Sequence, residues 1–489
     1  MSQFYTTADH FVLMPAIWVA LFGCYILLLD FWVFPEPKQR KYLLVFLIIG
    51  LAFTGYSLWQ QHSFLTTNGL GEITAFRGSV TIDGFGLFFN WIFLVSSLIV
   101  AIVSYNYLEI AGEHHGEYYA LILFAQCGMF FLATGTDLVT LFIGLELMAS
   151  CFYVMVGFLR GEKRSNEAAV KYLLLGAFSS GLLVYGFSLF YGIAGSTKLR
   201  DVAAAVASRD PMDPMVFLAL ATSAVGLLFK ISAVPFHMWA PDAYEGAPTP
   251  ITAYLSVASK AASFAFLVRL FIGPLATARE VWEPLLSAVA IATMTVGNFA
   301  AITQTNVKRL LAYSSISHAG YMLLGLIAGN DTGIKGIAVY IMVYTFMNLG
   351  AFLVIVALRR QDLIGEDLDD MAGLIHKSPG YAVLMLIFLI SLSGIPPTAG
   401  FLGKYYIFLS LIETKHYALA VVAVLYVAVA LYYYFRIVRT MFVEEPIDKG
   451  AMSTSFGLKV ALGLSGVLTL VIGVYPEPFL QFAQTTLNR

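Results

Sequence analysis

Long apolar runs, one after another, constrain this sequence more than any other feature. A hydrocarbon core of about 30 Å is crossed by roughly 20 apolar helical residues. Fourteen stretches meet that need, near 11–34, 42–60, 84–108, 118–135, 137–159, 166–194, 214–239, 248–272, 282–305, 308–329, 335–358, 380–411, 416–443 and 456–480. The runs are continuous rather than ten-residue alternations, which excludes a transmembrane barrel. Only 12% of the residues are charged, against about 25% in soluble domains, so a soluble globular fold is excluded too. The net charge is −2 and no basic block is present, which leaves nucleic-acid binding without support. The expected fold class is an all-α polytopic membrane protein with about fourteen spans in a lipid bilayer.

Between spans 4 and 5 only Gly135-Thr136-Asp137 remain, so that pair should form a tight helical hairpin. The stretch Glu72–Asp83 alternates and is β-branched, which predicts a small β-hairpin between spans 2 and 3. Cys24, Cys127 and Cys151 lie inside apolar runs and read as small buried residues. Three thiolates cannot hold an ordinary iron–sulfur cluster, and no glycine-rich nucleotide loop is present. No metal or cofactor site is therefore expected. The first Lys, Lys38, follows the first apolar run, so that run reads as a retained span and not a signal peptide. The odd-numbered loops hold fourteen Lys and Arg, among them Lys38, Lys308, Arg360 and Lys449, and the even loops and C-terminus eight, among them Arg489. The positive-inside rule then places the odd loops in the cytoplasm and both termini outside.

Most charges fall at span ends, where side chains are solvated or snorkel; Asp30, Lys171, Arg269 and Arg436 read this way. Others stand at membrane depth: Glu146 in span 5, Lys230 in span 7, Lys260 in span 8, Lys404 in span 12, together with the titratable His318 in span 10. A charge at the bilayer centre costs about 2.5–3.5 kcal/mol on insertion scales, and such residues usually line internal cavities and carry function. One Glu–Lys pair could simply glue helices together. One acid, three lysines and a histidine over five helices make a poor glue. Burial lowers a lysine pKa and raises a carboxylate pKa, so such groups, joined by water, can relay protons. Ammonium groups are not metal ligands, which excludes a metal site there.

Two spans are interrupted. Span 7 contains Pro235, and span 12 contains Gly394, Pro396, Pro397 and Gly400. Proline removes a backbone donor and clashes with the preceding turn, so both helices should break. Span 7 is the fourth of spans 4–8 and span 12 the fourth of spans 9–13, which is the pattern of inverted repeats with ion sites at broken helices. The expected organisation is 1–116 (spans 1–3), 117–272 (first five-helix repeat), 273–444 (second, inverted repeat) and 445–489 (span 14). His237, at the end of span 7, is a candidate for proton uptake from the cytoplasm.

The stretches LFKISAVPFHMWAPDAYEGAPTPITAYLSVASK (228–260) and TQTNVKRLLAYSSISHAGYM (303–322) resemble the signatures of the antiporter-like subunits of respiratory complex I, the proton-translocating NADH:quinone oxidoreductase. Within that family SAVPFHMW, YEGAPTP, the span-8 lysine and the span-12 lysine favour the N-type. The M-type carries a glutamate at the place of Lys404, and the L-type is longer. The resemblance implies a proton-translocating role in the bacterial inner membrane. Glu146 would pair with Lys230, Lys260 and His318 would continue a hydrated axis, and Lys404 would end it. It also implies partners: other antiporter-like and small subunits of the membrane arm. NADH, FMN, iron–sulfur clusters and quinone would be handled in partner subunits. Two other readings stay open, a subunit of a multisubunit Na+/H+ antiporter and a purely structural spacer.

Overall fold

The computed structural model describes residues 6–36, 39–210, 212–359, 365–447, 452 and 455–487. Of the residues used for orientation, Lys38, Arg360, Lys449 and Arg489 lie outside the described residues, as do residues 1–5.

The chain begins with α1 (Thr7–Trp32) and α2 (Leu43–Asn68), then a hairpin of β1 (Glu72–Ala75) and β2 (Val80–Asp83). The two strands are antiparallel, with Glu72 opposite Asp83. Next come α3 (Gly84–Ala111), α4 (Gly116–Thr134), α5 (Leu138–Val156), α6 (Lys163–Ala194), the short α7 (Leu199–Ala207), α8 (Pro214–Lys230) and α9 (Trp239–Gly246). One continuous path follows, α10 (Thr249–Tyr254), a π-helical turn at Leu255–Ser259, and α11 (Lys260–Phe271). The remainder is α12 (Arg279–Ile302), α13 (Val307–Ala328), α14 (Asp331–Leu358), α15 (Leu374–Lys377), α16 (Pro379–Ser393), α17 (Ala399–Glu413), α18 (Tyr417–Val443), α19 (Phe456–Val474) and α20 (Glu477–Gln484).

Twelve helices among the described residues are long and apolar enough to cross a membrane, and α8 and α16 are shorter apolar helices at the places of spans 7 and 12. The protein is thus an all-α polytopic membrane protein, and the hairpin of spans 4 and 5 and the β-hairpin stand where the sequence puts them. Spans 8, 10 and 11 form the enclosed centre. The outer helices turn apolar rows outward, such as Leu174 and Phe178 of α6 and Val421 and Leu425 of α18. Such rows suit lipid or a neighbouring subunit, because lipid tails need no polar partner.

Two parts of the chain repeat one local arrangement. Asp137 caps α5 and pairs by a backbone bridge with Lys198; Asn306 caps α13 and pairs likewise with Asp367. Leu138 N donates to Thr197 O and Leu199 N to Thr136 O; Val307 N donates to Glu366 O and Leu368 N to Thr305 O. A Cβ on Gly128 would meet Gly144 O and Met148 N at 2.6 Å, and one on Gly297 would meet Tyr313 O and Ser317 N at 2.9 and 2.6 Å. Every residue in the second set follows its counterpart by the same number of positions. The arrangement begins span 5 in one case and span 10 in the other. Spans alternate in direction, so the two lie at opposite ends of the bundle.

Several polar side chains depart from the solvated role expected at span ends. Asp30 is buried, 2.9 Å from Arg40 Nε, and accepts from Gly116 N. Arg269 forks onto the buried Asp83. Arg436 donates to Ile302 O at 2.8 Å. Lys171 keeps the exposed place expected of it, paired with Glu167 and Asp242. Cys24, expected in the interior, is exposed on the outer side of α1.

Candidate functional site

The two proline-bearing breaks create the first two parts of the site. A helix end leaves carbonyls without intrahelical donors and carries partial negative charge, which favours an ammonium group there. Span 7 breaks after Lys230, the last residue of α8. The Phe229 carbonyl at that end accepts from Ser232 N and from Trp239 Nε1, both at 2.9 Å. Lys230 Nζ donates to Tyr153 OH at 3.3 Å and lies 4.0 Å from Glu146 Oε1. The Lys230 side chain is 2% exposed, that of Glu146 31%, so the pair joins the interior to the face of α5. Ser180 Oγ donates to the same Glu146 oxygen at 2.5 Å.

Span 12 breaks between α16 and α17, where Gly394 ends α16 at φ 83, a conformation that favours glycine. A Cβ there would come within 2.7 Å of Lys404 Cδ. Lys404, from α17, turns back onto the broken end and donates to Leu392 O at 3.1 Å and Ser393 O at 2.8 Å. Its ammonium also stands over the Tyr321 ring, 5.1 Å from the centroid.

Between the breaks lie two hydrogen-bonded groups of hydroxyl and imidazole side chains. The π-turn at Leu255–Ser259 widens the backbone just before Lys260, a device common at functional positions. Lys260 Nζ donates to both Ser315 O and Ser315 Oγ at 2.6 Å. Tyr344 OH donates to the same Oγ at 2.9 Å. His318 stands one helical turn beyond Ser315; its Nδ1 is 2.6 Å from Tyr340 OH and its Nε2 3.1 Å from Tyr434 OH. Tyr434 OH in turn meets Ser314 Oγ. Ser314, Ser315, His318 and Tyr321 all come from α13, and the tyrosines that answer them come from α14 and α18. A hydroxyl can accept a proton on one lone pair while donating its own, and an imidazole can do the same across its ring.

The five expected relay residues are thus all enclosed or at the edge of one core. The structure brings Glu146 and Lys230 together; Lys260 shares Ser315 with Tyr344, His318 lies between Tyr340 and Tyr434, and Lys404 stands over the Tyr321 ring. His237 falls in the non-helical link after α8, half-buried; among the described residues no hydrogen bond joins it to Lys230 or Lys260. Pro235, Pro396 and Pro397 all stand in the links that interrupt spans 7 and 12. The sequence reading missed Tyr153, Ser180, Ser315, Tyr340, Tyr344 and Tyr434. The only signal is general: a buried tyrosine usually finds a partner for its O–H, and the sequence does not say which.

Residues 135–430 match the family model described as the transmembrane region of NADH:quinone oxidoreductase and Mrp antiporter subunits. The chain is 74% identical over 489 residues to NADH-quinone oxidoreductase subunit N 2 of Solibacter usitatus, covering 100% of this chain and 99% of that one. A chain of respiratory complex I from Thermus thermophilus with bound aureothin superposes with a TM-score of 0.81 at 31% identity, over 96% of this chain and 100% of that one. A chain of the Mrp complex from Dietzia superposes at 0.82 with 21% identity, over 99% and 97%, a likeness of fold alone.

Proposed function

Because this chain belongs to the NADH:quinone oxidoreductase/Mrp antiporter transmembrane family, we propose that it is a proton-translocating membrane-arm subunit of an NADH:quinone oxidoreductase. The observation that carries the reading is the placement of Lys230, Lys260 and Lys404 in one enclosed core, with Glu146 at its edge 4.0 Å from Lys230. Each buried charge is costly in a bilayer. Groups that need not all be charged at once reduce that cost, and this is the property of a relay.

In this reading a change of charge or position at Glu146 alters its hold on the Lys230 proton. The proton then passes through Lys260 and His318 to Lys404. The hydroxyls of Ser315, Tyr344, Tyr340 and Tyr434 carry it between the nitrogen centres. His237, in the link next to Lys230, serves proton uptake. Residues 117–272 and 273–444 act as the two inverted five-helix units, flanked by 1–116 and 445–489, and the shared capping bridges and glycine contacts support that division. Both termini lie on the outer side, as the Lys and Arg bias of the loops supports. This chain binds no flavin, cluster or nucleotide; NADH, FMN, iron–sulfur clusters and quinone are handled by partner subunits. Its partners are the other antiporter-like and small membrane-arm subunits.

The test is Lys230→Ala in the assembled complex. NADH-driven proton uptake into vesicles should fall at least about tenfold while the complex assembles. Unchanged pumping per assembled complex overturns the reading. A sodium-dependent pH gradient formed without NADH would replace it by an antiporter.

A further inference from the structure

A further enclosed cation, besides Lys230, Lys260 and Lys404, stands at the Lys- and Arg-rich end of the bundle. Lys308, near the start of α13, is 1% exposed. Its Nζ donates to Ala247 O at 2.7 Å, Glu366 Oε1 at 2.8 Å and Glu245 O at 2.9 Å. Glu366 is itself buried and accepts from Thr249 Oγ1 at 3.4 Å and, on its other oxygen, from Arg164 Nη2 at 3.3 Å. The Arg164 side chain is 49% exposed. It lines an open cavity of about 270 Å³ with Glu167, Lys171, Asp242, Glu245 and Arg309. Glu366 therefore bridges an enclosed ammonium and a charged cavity open to solvent.

The inward direction is equally defined. Lys308 and Ser315 are seven residues apart on α13, two turns and about 10 Å along one helix face. Ser315 is the residue that holds Lys260. Thr249 is the first residue of α10, whose path continues through the π-turn to Lys260. The two helix paths that meet at the Lys260–Ser315 contact thus both begin at the Lys308–Glu366 pair. The choice of residue fits as well. Arginine stands at 164, 309 and 359, each paired with a carboxylate as a fixed charge, and the one lysine lining the cavity, Lys171, is exposed and paired with Glu167 and Asp242. The enclosed position holds lysine, which can release a proton, as arginine in proteins does not.

We propose that the Lys308–Glu366 pair is a proton gate between the charged cavity and Lys260, a route separate from His237 beside the α8 break. The Lys308 ammonium loses one proton toward Lys260: its N–H bond breaks and an N–H bond forms at the neutral Lys260 amine, through the groups between them. A hydronium ion on the Arg164 side then protonates Glu366: one of its O–H bonds breaks, leaving water, and an O–H bond forms on the carboxylate. That O–H bond breaks as a new N–H bond forms on Lys308, which restores the ion pair. One proton moves inward for each cycle, and nothing is oxidised or reduced.

The proposal rests on the proton-translocating reading above, so Lys230→Ala is run beside the gate variants. Lys308→Arg keeps the charge and the ion pair but removes the transferable proton. Glu366→Gln keeps an acceptor oxygen but no longer takes a proton. Both are assayed in the full complex, with assembly normalised to flavin content and NADH-driven acidification of vesicles as readout. Each should lose at least about tenfold in pumping per assembled complex. Lys308→His, which returns an exchangeable proton, should recover pumping as pH falls from 8 to 6, and Lys308→Arg should not. Wild-type pumping in Lys308→Arg and Glu366→Gln, with Lys230→Ala inactive, overturns the gate and leaves the relay standing. Wild-type pumping in Lys230→Ala overturns the underlying reading. Should Lys308→Arg fail to assemble, the Glu366→Gln result decides.

Discussion

Lys260 Nζ lies 2.6 Å from both the backbone oxygen and the hydroxyl oxygen of Ser315. Ser315 follows Glu146 by the same number of positions that separates Asp137 from Asn306, so it stands in α13 at the distance from the capping residue that Glu146 has in α5. Lys230 faces a carboxylate across 4.0 Å, whereas Lys260 faces neutral oxygen. The difference matters for a relay, because a carboxylate holds the ammonium form and a hydroxyl does so far less.

Ser315→Asp should therefore arrest the relay by fixing the Lys260 proton, with pumping down at least about tenfold in an assembled complex. Ser315→Ala should be milder, since the backbone oxygen remains. The lost bond leaves a buried donor partly unsatisfied, which costs on the order of 1–3 kcal/mol. Proton pumping normalised to flavin separates the two variants. Equal activity in both would mean that the serine hydroxyl only packs.

The two tyrosines on His318 give a second measurement. Tyr340→Phe and Tyr434→Phe each keep the ring and remove one oxygen from an imidazole nitrogen, at 2.6 and 3.1 Å respectively. Each should slow pumping several-fold, and the double variant should do so more than the product of the two, because the imidazole then loses partners on both sides. Assembly should be nearly unaffected, since the ring volume is retained. Wild-type pumping in the double variant would remove the tyrosines from the path.

Much of this site was legible in the sequence because charge is scarce in the spans. Glu146, Lys230, Lys260 and Lys404 stand out against apolar neighbours, and Pro235, Pro396 and Pro397 mark both breaks. The connecting groups were not legible. Tyr340, Tyr344 and Tyr434 look like ordinary apolar mass in a chain with 27 tyrosines, and only the packing of α14 and α18 on α13 brings their hydroxyls to His318 and Ser315. Asp30 and Arg269 were misjudged because proximity to a span end predicts solvent, whereas their partners Arg40 and Asp83 come from distant parts of the chain. Lys308 was counted as a loop charge because Glu366 is 58 residues away.

At the charged end, acidification has a defined sign. Burial raises the Asp242 carboxyl, but hydrogen bonds from Lys171 and Arg309 outweigh it and hold the group below the usual carboxylate range. Between the folded and unfolded values the unfolded chain binds more protons, so stability rises with pH there. The contribution is complete above the unfolded value of about 3.9 and is lost as pH falls through the folded one. Asp242→Asn should speed amide exchange over Trp239–Gly246 at pH 7 relative to wild type at the same pH. That difference should shrink in strong acid. A difference independent of pH would show that the carboxylate charge does not hold α9.

Asp83 and Arg269 form the remaining strut. Asp83 ends β2, caps α3 through Gly86 N at 2.7 Å, and accepts from Arg269 Nη1 and Nη2 at 2.9 and 2.8 Å. Arg269 Nε donates to Ala133 O at 2.6 Å, and the guanidinium lies 4.9 Å from the Phe85 ring centroid. One side-chain pair thus joins the hairpin, span 3, span 4 and span 8. Removing one partner of a buried pair leaves an uncompensated charge and costs about 3–5 kcal/mol. Arg269→Ala should lower the yield and the melting temperature of the complex. Arg269→Lys should lower them less, since it keeps the charge and loses the fork. Asp83→Asn with Arg269→Met should recover part of the loss, because neither charge is then left alone. Pumping per assembled complex should be unchanged in all three, because the pair lies outside the relay. A selective loss of pumping at normal stability would instead place Arg269 in the coupling path.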